Sequence, residues 1–172
     1  KGTMGQENMH LVDDRQELDF PDWDKHSPVT VLTQTTLSVD DTEKSITQIQ
    51  SKFSDVIVRN DLCYATTNRQ EAIKTIAQNV ELVLVIGAPN SSNCNRLREV
   101  AQSFGIPAYL INTPEEIDMS WFNGVHLIGV TSGASTPEIL VQDVIKFIDP
   151  EEVVNIQGAH EDVLFTIPNE LL

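Results

Sequence analysis

Short apolar runs rich in β-branched residues recur along this chain, and each is followed by a stretch in which apolar residues return every three or four positions. The runs are Val29-Thr30-Val31-Leu32-Thr33, Val56-Ile57-Val58, Leu82-Val83-Leu84-Val85-Ile86, residues 108–111 and residues 125–130. Between and after them lie Ile46, Ile49 and Phe53, then Ala72, Ile73, Ile76, Ala77 and Val80. Further on come Leu97, Val100, Ala101 and Phe104, and last Ile139, Leu140, Val144, Ile145 and Ile148. Regular alternation of strand and amphipathic helix leaves few topologies open, because parallel strands need a crossover and the helix provides it. The expected fold class is therefore α/β, built of small doubly wound parallel-sheet units. The continuous apolar run at 82–86, ending at Gly87, suits a strand covered on both faces.

Punctuation residues sharpen these elements. Ser38-x-x-Asp41 reads as a cap for the first helix, and Thr67 with Gln70 as a capping pair for the second. Gly105 closes the third helix. Thr113-Pro114-Glu115-Glu116 places a cap, a proline at the first helical position and a glutamate at the third, so a short helix should follow with Ile117 and Trp121 facing inward. Thr136-Pro137-Glu138 opens the last helix and Asp149-Pro150 stops it. Residues 7–28 are polar and read as a surface connection with room for one short strand. Residues 163–167 read as a strand pairing outside the main sheet.

The chain has 172 residues, 40% hydrophobic and 22% charged, which is a folding composition, and a net charge of -15. That charge argues against broad contact with nucleic acid or an anionic membrane surface, so an anionic ligand would have to be gripped locally. No apolar run approaches the roughly 20 residues that a membrane helix requires, and the two cysteines are too few for a disulfide framework. A cytoplasmic protein is expected, or a plastid one in a photosynthetic eukaryote. The opening Lys1-Gly2-Thr3-Met4 carries no initiating methionine, which suggests a fragment or a processed chain.

Three strand ends run into loops crowded with hydroxyls and amides: Thr33-Gln34-Thr35-Thr36-Leu37-Ser38, Asn90-Ser91-Ser92-Asn93 and Thr131-Ser132-Gly133-Ala134-Ser135-Thr136. Loops at the carboxyl ends of parallel strands line the ligand crevice of an open α/β sheet. Free N–H groups at a helix start favour anions, and Ser, Thr and Asn side chains add neutral donors. A diphosphate fits that chemistry. Each loop taken alone also reads as ordinary helix capping, for which the same residues are preferred. Asn90-Ser91-Ser92-Asn93 exceeds what one cap requires and is the strongest anion-site candidate. None of the loops has the spacing of a nucleotide-binding glycine loop.

Cys63 sits just before a predicted helix, where the helix dipole favours a thiolate able to ligate metal. A lone cysteine is equally a small buried hydrophobe, and a cluster needs more thiolates than two cysteines supply. Cys94 reads as a packing or surface residue. The four histidines show no paired spacing.

Taken together, Thr33-Gln34-Thr35-Thr36-Leu37-Ser38-Val39-Asp40-Asp41-Thr42, Cys63-Tyr64-Ala65-Thr66-Thr67-Asn68-Arg69-Gln70, Asn90-Ser91-Ser92-Asn93 with Arg96-Leu97, and Gly133-Ala134-Ser135 with Pro137 resemble the 4-hydroxy-3-methylbut-2-enyl diphosphate reductases, LytB-type iron–sulfur enzymes, in order and spacing. The resemblance implies three similar α/β units in a trefoil-like arrangement around a [4Fe–4S] cluster, with one cysteine ligand from each unit and Cys63 as the last. It implies that Ser91, Ser92, Asn93 and Ser135 grip the substrate diphosphate. It places Thr35 beside the substrate alcohol as the proton-positioning residue, with Gln34 as its neighbour.

The implied reaction is a two-electron reductive dehydroxylation giving isopentenyl and dimethylallyl diphosphates, with ferredoxin or flavodoxin as electron donor. It is the last step of the methylerythritol phosphate route to isoprenoids. On this reading residues 1–59 complete a second unit, 60–148 form a third and 149–172 are a tail. Two further cluster cysteines, the diphosphate-binding histidines and a His-x-Glu proton relay would lie upstream of Lys1, and the chain alone is expected to be inactive. Competing readings are a non-catalytic phosphate- or sugar-binding α/β module and an interaction fragment that keeps the fold as a scaffold.

Overall fold

The computed structural model describes residues 8–13, 18–34, 36–37, 39–59 and 63–156. Its strands are β1 (Pro28–Leu32), β2 (Asp55–Arg59), β3 (Leu82–Ile86), β4 (Ala108–Ile111) and β5 (Ile128–Ser132). Its α-helices are α1 (Val39–Lys52), α2 (Tyr64–Ala77), α3 (Ser92–Ser103) and α4 (Glu138–Ile148). All pairings are parallel: β1 with β2 in one sheet, and a second sheet in the order β4-β3-β5. The alternation in the sequence thus becomes the parallel α/β architecture it implied.

Strand β3 is central, and every one of its five residues is buried. Its period of two sorts them onto two cores. Val83 and Val85 meet Ile73 and Ile76 of α2 and Leu97, Val100 and Ala101 of α3 on one face. Leu82, Leu84 and Ile86 meet Ile111, Ile117 and Val144 on the other, where Leu140 and Ile148 of α4 close over them. Side chains of this size contribute about 1.5–3 kcal/mol each when fully buried, so β3 is the main apolar anchor of the larger sheet. Gly129 of β5 allows α2 to close on the sheet, because a Cβ there would run into Ile76 and lie 3.3 Å from both Val80 and Val83.

The small sheet is half covered. Val29 and Val31 pair with Val56 and Val58 on its shielded face, whereas Leu32 and Ile57 remain exposed on the other. Helix α1 buries Ile49 and is followed by buried Phe53, against which Trp23 packs at 6.3 Å between ring centroids.

Several boundaries differ from expectation. Helix α2 starts at Tyr64, a turn earlier than the Thr67/Gln70 pair implied, because the Cys63 carbonyl accepts the N–H groups of both Thr66 and Thr67 at 2.9 Å. Phe104 does not join the inward face of α3: it lies beyond the helix end and is exposed. The short helix after Thr113 resolves into two 3-10 turns, Pro114–Glu116 and Met119–Phe122, that bury Ile117 and lay Trp121 flat on Tyr109 at 3.8 Å. The strand expected at 125–130 begins only at Ile128. The Glu81 carboxylate takes the N–H groups of His126 and Leu127, while Glu81 N–H donates to Leu127 carbonyl at 2.9 Å just ahead of the ladder. Within 7–28 no strand precedes Pro28 among the described residues. The strand expected at 163–167 and the Ser38 cap lie outside the described residues.

The two backbone N–H groups on Glu81, His126 first and Leu127 second, hold its carboxyl below the ordinary glutamate value of 4.5. A folded carboxyl that binds its proton more weakly than the unfolded one stabilises the fold fully above 4.5, and that contribution fades as pH falls through the lower folded value. Glu81→Gln should therefore lower the urea unfolding midpoint at pH 7, and the gap to the parent should narrow on acidification below pH 4.5. A gap independent of pH would show that the carboxylate contributes nothing.

Candidate functional site

The connections after β3 and after β5 leave on opposite faces of the larger sheet, since α3 packs with Val83 and Val85 and α4 with Leu82, Leu84 and Ile86. Loops that part in this way open a crevice at the carboxyl ends of the two strands. Here the crevice is framed by Asn90-Ser91-Ser92-Asn93 and Gly133-Ala134-Ser135. The two loops are tied together at its floor, where the Ile86 carbonyl accepts Gly133 N–H at 3.0 Å and Thr136 Oγ1 at 3.1 Å.

Asn93 lies in the first turn of α3 and is 8% exposed, yet among the described residues neither its Nδ2 nor its Oδ1 has a hydrogen-bond partner. Its Nδ2 faces the second loop, 3.8 Å from where a Cβ on Gly133 would stand. An orphaned buried amide costs roughly 1–3 kcal/mol, which sets Asn93 apart from the other side chains of these loops. Ser91 caps the helix, its Oγ accepting Cys94 N–H at 3.3 Å, and the capping reading therefore holds for this residue. Ser92 is exposed at the rim. Ser135 is exposed within the turn closed by Thr136 N–H on Gly133 carbonyl at 3.0 Å.

The β1–α1 loop meets the first of these loops on the side of Asn90 and Ser92, in a cleft that neither Asn93 nor Ser135 lines. Gln34, Thr36 and Leu37 face Asn90, Ser92 and Asn95 across a cleft of about 330 Å³. Arg96 and Glu99 complete this cleft, and the Arg96 guanidinium is held by Glu99 at 3.0 Å and Asp41 at 3.6 Å. Thr35, the proton-positioning candidate, lies outside the described residues.

Cys63 is the N-cap residue of α2 and half-buried; its side chain makes no capping bond. Its backbone carbonyl also takes Thr67 Oγ1 at 3.3 Å. Cys94, by contrast, is 1% exposed, with Sγ packed beneath Gly87 and Gly133 near the Ile86 carbonyl. It is a packing residue and not available as a ligand. Among the described residues no three histidine, cysteine or acidic side chains gather to hold a metal ion. The residues of this chain do not by themselves fit an iron–sulfur cluster, for they offer a single accessible described thiol.

Three residues acquire roles that sequence reasoning did not assign. Asn95 Nδ2 donates to Pro89 carbonyl at 2.8 Å and Ser91 carbonyl at 2.9 Å and so fixes the Asn-Ser-Ser-Asn turn. Arg69 Nε donates to Ser132 carbonyl at 3.2 Å, at the mouth of the Gly-Ala-Ser loop. Gln70, expected to complete a capping pair with Thr67, instead reaches the β1–α1 loop. All three stand inside or directly after the motifs, and their chemistry was visible; the targets of Arg69 and Gln70 are tertiary and were not, while those of Asn95 lie within its own turn.

Fold and loops define a parallel α/β protein with neutral donors gathered at the carboxyl ends of its strands. Residues 1–149 match the LytB protein family, and the chain belongs to that family. It is 44% identical to the 4-hydroxy-3-methylbut-2-enyl diphosphate reductase of Ruthia magnifica and 45% identical to that of Zymomonas mobilis. Both alignments cover 99% of this chain, but only 58% and 52% of those proteins, so the chain spans little more than half their length. The solved E-1-hydroxy-2-methyl-but-2-enyl-4-diphosphate reductase of Plasmodium falciparum superposes with a TM-score of 0.79 at 34% identity, over 90% of this chain and 50% of that one.

The packing beneath the second loop is testable. A Cβ on Gly133 would stand 2.5 Å from Cys94 Sγ and 3.1 Å from Thr136 Oγ1. Gly133→Ala should cost about 1–3 kcal/mol as overpacking. Combining it with Cys94→Ala should recover part of that loss, leaving the Thr136 contact. Denaturant unfolding of the two single variants and the double variant measures the coupling; strict additivity would refute this account of the loop.

Proposed function

We propose that this chain forms the diphosphate-gripping part of a 4-hydroxy-3-methylbut-2-enyl diphosphate reductase. Residues 1–59 would belong to one α/β unit, 60–148 to the next and 149–172 to a terminal tail. Asn93 and Ser135, with Ser91 and Ser92, would hold the diphosphate, while Thr35 and Gln34 stand by the allylic alcohol. Cys63 would be the thiolate this chain contributes to a [4Fe–4S] cluster whose other ligands come from outside it. Two electrons and two protons would replace the C–OH bond with C–H and release water, giving isopentenyl and dimethylallyl diphosphates. A ferredoxin or flavodoxin would supply the electrons. No described helix is long and apolar enough to cross a membrane, and a cytoplasmic or plastid setting would suit such a donor.

The observation that carries this reading is the Asn93 amide, buried and without a described partner in a crevice of neutral donors. It has a thermodynamic signature that distinguishes a binding group from a structural one. Asn93→Leu removes two orphaned polar atoms, so in the ligand-free full-length protein it should leave stability unchanged or raise it by about 1 kcal/mol. The same change should raise KM for the diphosphate substrate about tenfold or more, because hydrogen bonds to a charged group contribute about 1.5–3 kcal/mol. Reductant-coupled loss of 4-hydroxy-3-methylbut-2-enyl diphosphate supplies the assay. A full-length protein that does not consume this substrate, or an Asn93→Leu variant that is destabilised with KM intact, would defeat the reading.

A second measurement concerns Cys63. Anaerobic reconstitution of these 172 residues alone should give no stoichiometric thiolate-to-iron absorbance, whereas the full-length protein should take up a cluster and lose it on Cys63→Ser. Stable cluster uptake by the 172 residues would contradict the shared-ligand proposal.

A further inference from the structure

Two consecutive residues of α2 make polar contacts that leave the helix in different directions. Arg69 donates through Nε to the Ser132 carbonyl, just before the Gly-Ala-Ser loop, and through Nη1 to Ala65 carbonyl at 3.3 Å within its own helix. Gln70 turns to the β1–α1 loop. Its Nε2 donates to Leu37 carbonyl at 2.8 Å, and its Oε1 accepts Val39 N–H at 3.1 Å. Gln70 is 1% exposed, so both ends of its amide are matched in a site shielded from water. The Val39 N–H is one of the donors that the first turn of α1 leaves without an intrahelical acceptor, and Gln70 satisfies it from another element.

Position matters as much as pairing. Gln70 lies seven residues beyond Cys63, close to two helical turns, so the N-cap and the amide share one side of α2. Thr66 and Ile73, on the same side, are buried as well. One turn further on, Lys74 Nζ binds Asp40 of α1 at 2.9 Å. Burial of that ammonium acts to lower its pKa, but hydrogen bonds to Asp40 and Glu71 outweigh it and hold the value above 10.5. Helix α2 is thus a bar with Cys63 at its tip, one loop fastened at Arg69 and another at Gln70.

We propose that Gln70 is a positioning residue that sets the register of the β1–α1 loop, and with it Gln34 and Leu37, against the tip of α2. Its kinetic consequence rests on the reductase reading, and its structural consequence does not. The amide acts through directed bonds and not through volume, so Gln70→Met, similar in size and without the amide, removes the function and keeps the packing.

Amide exchange and steady-state kinetics on the full-length protein test this. In Gln70→Met the Val39 amide should exchange about tenfold faster or more, with the amides of Leu82–Ile86 unchanged. The kcat should fall about tenfold to a hundredfold, the usual consequence of a small misplacement near reacting groups, and KM should move by less than about twofold because other loops hold the diphosphate. Ile73→Val, a packing change on the same side of α2, should produce neither effect. Unchanged Val39 protection, a rise in KM at constant kcat, or the same pattern in Ile73→Val would overturn the proposal. Should the parent protein fail to reduce the substrate, the reductase reading falls and the exchange arm alone decides the role of Gln70.

Discussion

The carbonyl of Ile86 is where the candidate site is built. It ends the most deeply buried strand, and it receives both the Gly133 N–H and the Thr136 hydroxyl, with the Cys94 thiol packed 3.9 Å away. A strand end with that many donors cannot shift without disturbing two loops and the start of α3 together. The apolar cores on the two faces of β3 therefore fix more than stability: they fix where the Asn-Ser-Ser-Asn and Gly-Ala-Ser loops stand relative to each other. Small residues make this possible, since Gly133 admits the Cys94 sulfur at a distance that no side chain would tolerate.

Local and tertiary demands compete most clearly at Thr67 and Gln70. Their spacing matches a capping box, and a local reading assigns them to each other. The helix starts earlier because Cys63 supplies its carbonyl to the first turn, which frees Gln70 to serve a backbone 31 residues upstream. The elements themselves were legible: the apolar run at 82–86, the periodic faces of α2 and α3 and the Asp149 stop all follow from the period of side chains along a helix or strand. What the sequence concealed were partners. Glu81 intercepts two N–H groups of a segment that reads as strand, and Arg69 finds a carbonyl on β5; neither leaves a trace in periodicity.

The hydroxyl loops show the same division. Composition placed hydroxyls and amides at strand ends, and it left open whether each merely capped a helix. Ser91 does cap, so its preference as a cap and its suitability as a donor coincide. Asn93 does not: it lies inside the first turn, its amide is buried, and it has no partner among the described residues. The distinction depends on side-chain direction, which residue type alone does not reveal.

Electrostatics give the crevice its character. With a net charge of -15, the chain repels anions at long range, and three cations of α2 and α3 are already engaged. Arg96 is bound by Asp41 and Glu99, Lys74 by Asp40 and Glu71, and Arg69 points two nitrogens at carbonyls. On the proposed function, attraction to a diphosphate would have to come from oriented dipoles at short range: the start of α3, the amide of Asn93 and the hydroxyls around it. Dipoles fall off faster with distance than charges do, so such a site recognises an anion by position more than by capture. Selectivity for where the phosphoryl oxygens sit is what the proposed reaction, at the far end of a small molecule, would demand. A site of this kind orients its ligand well and concentrates it poorly, unless cations from outside these residues complete the grip.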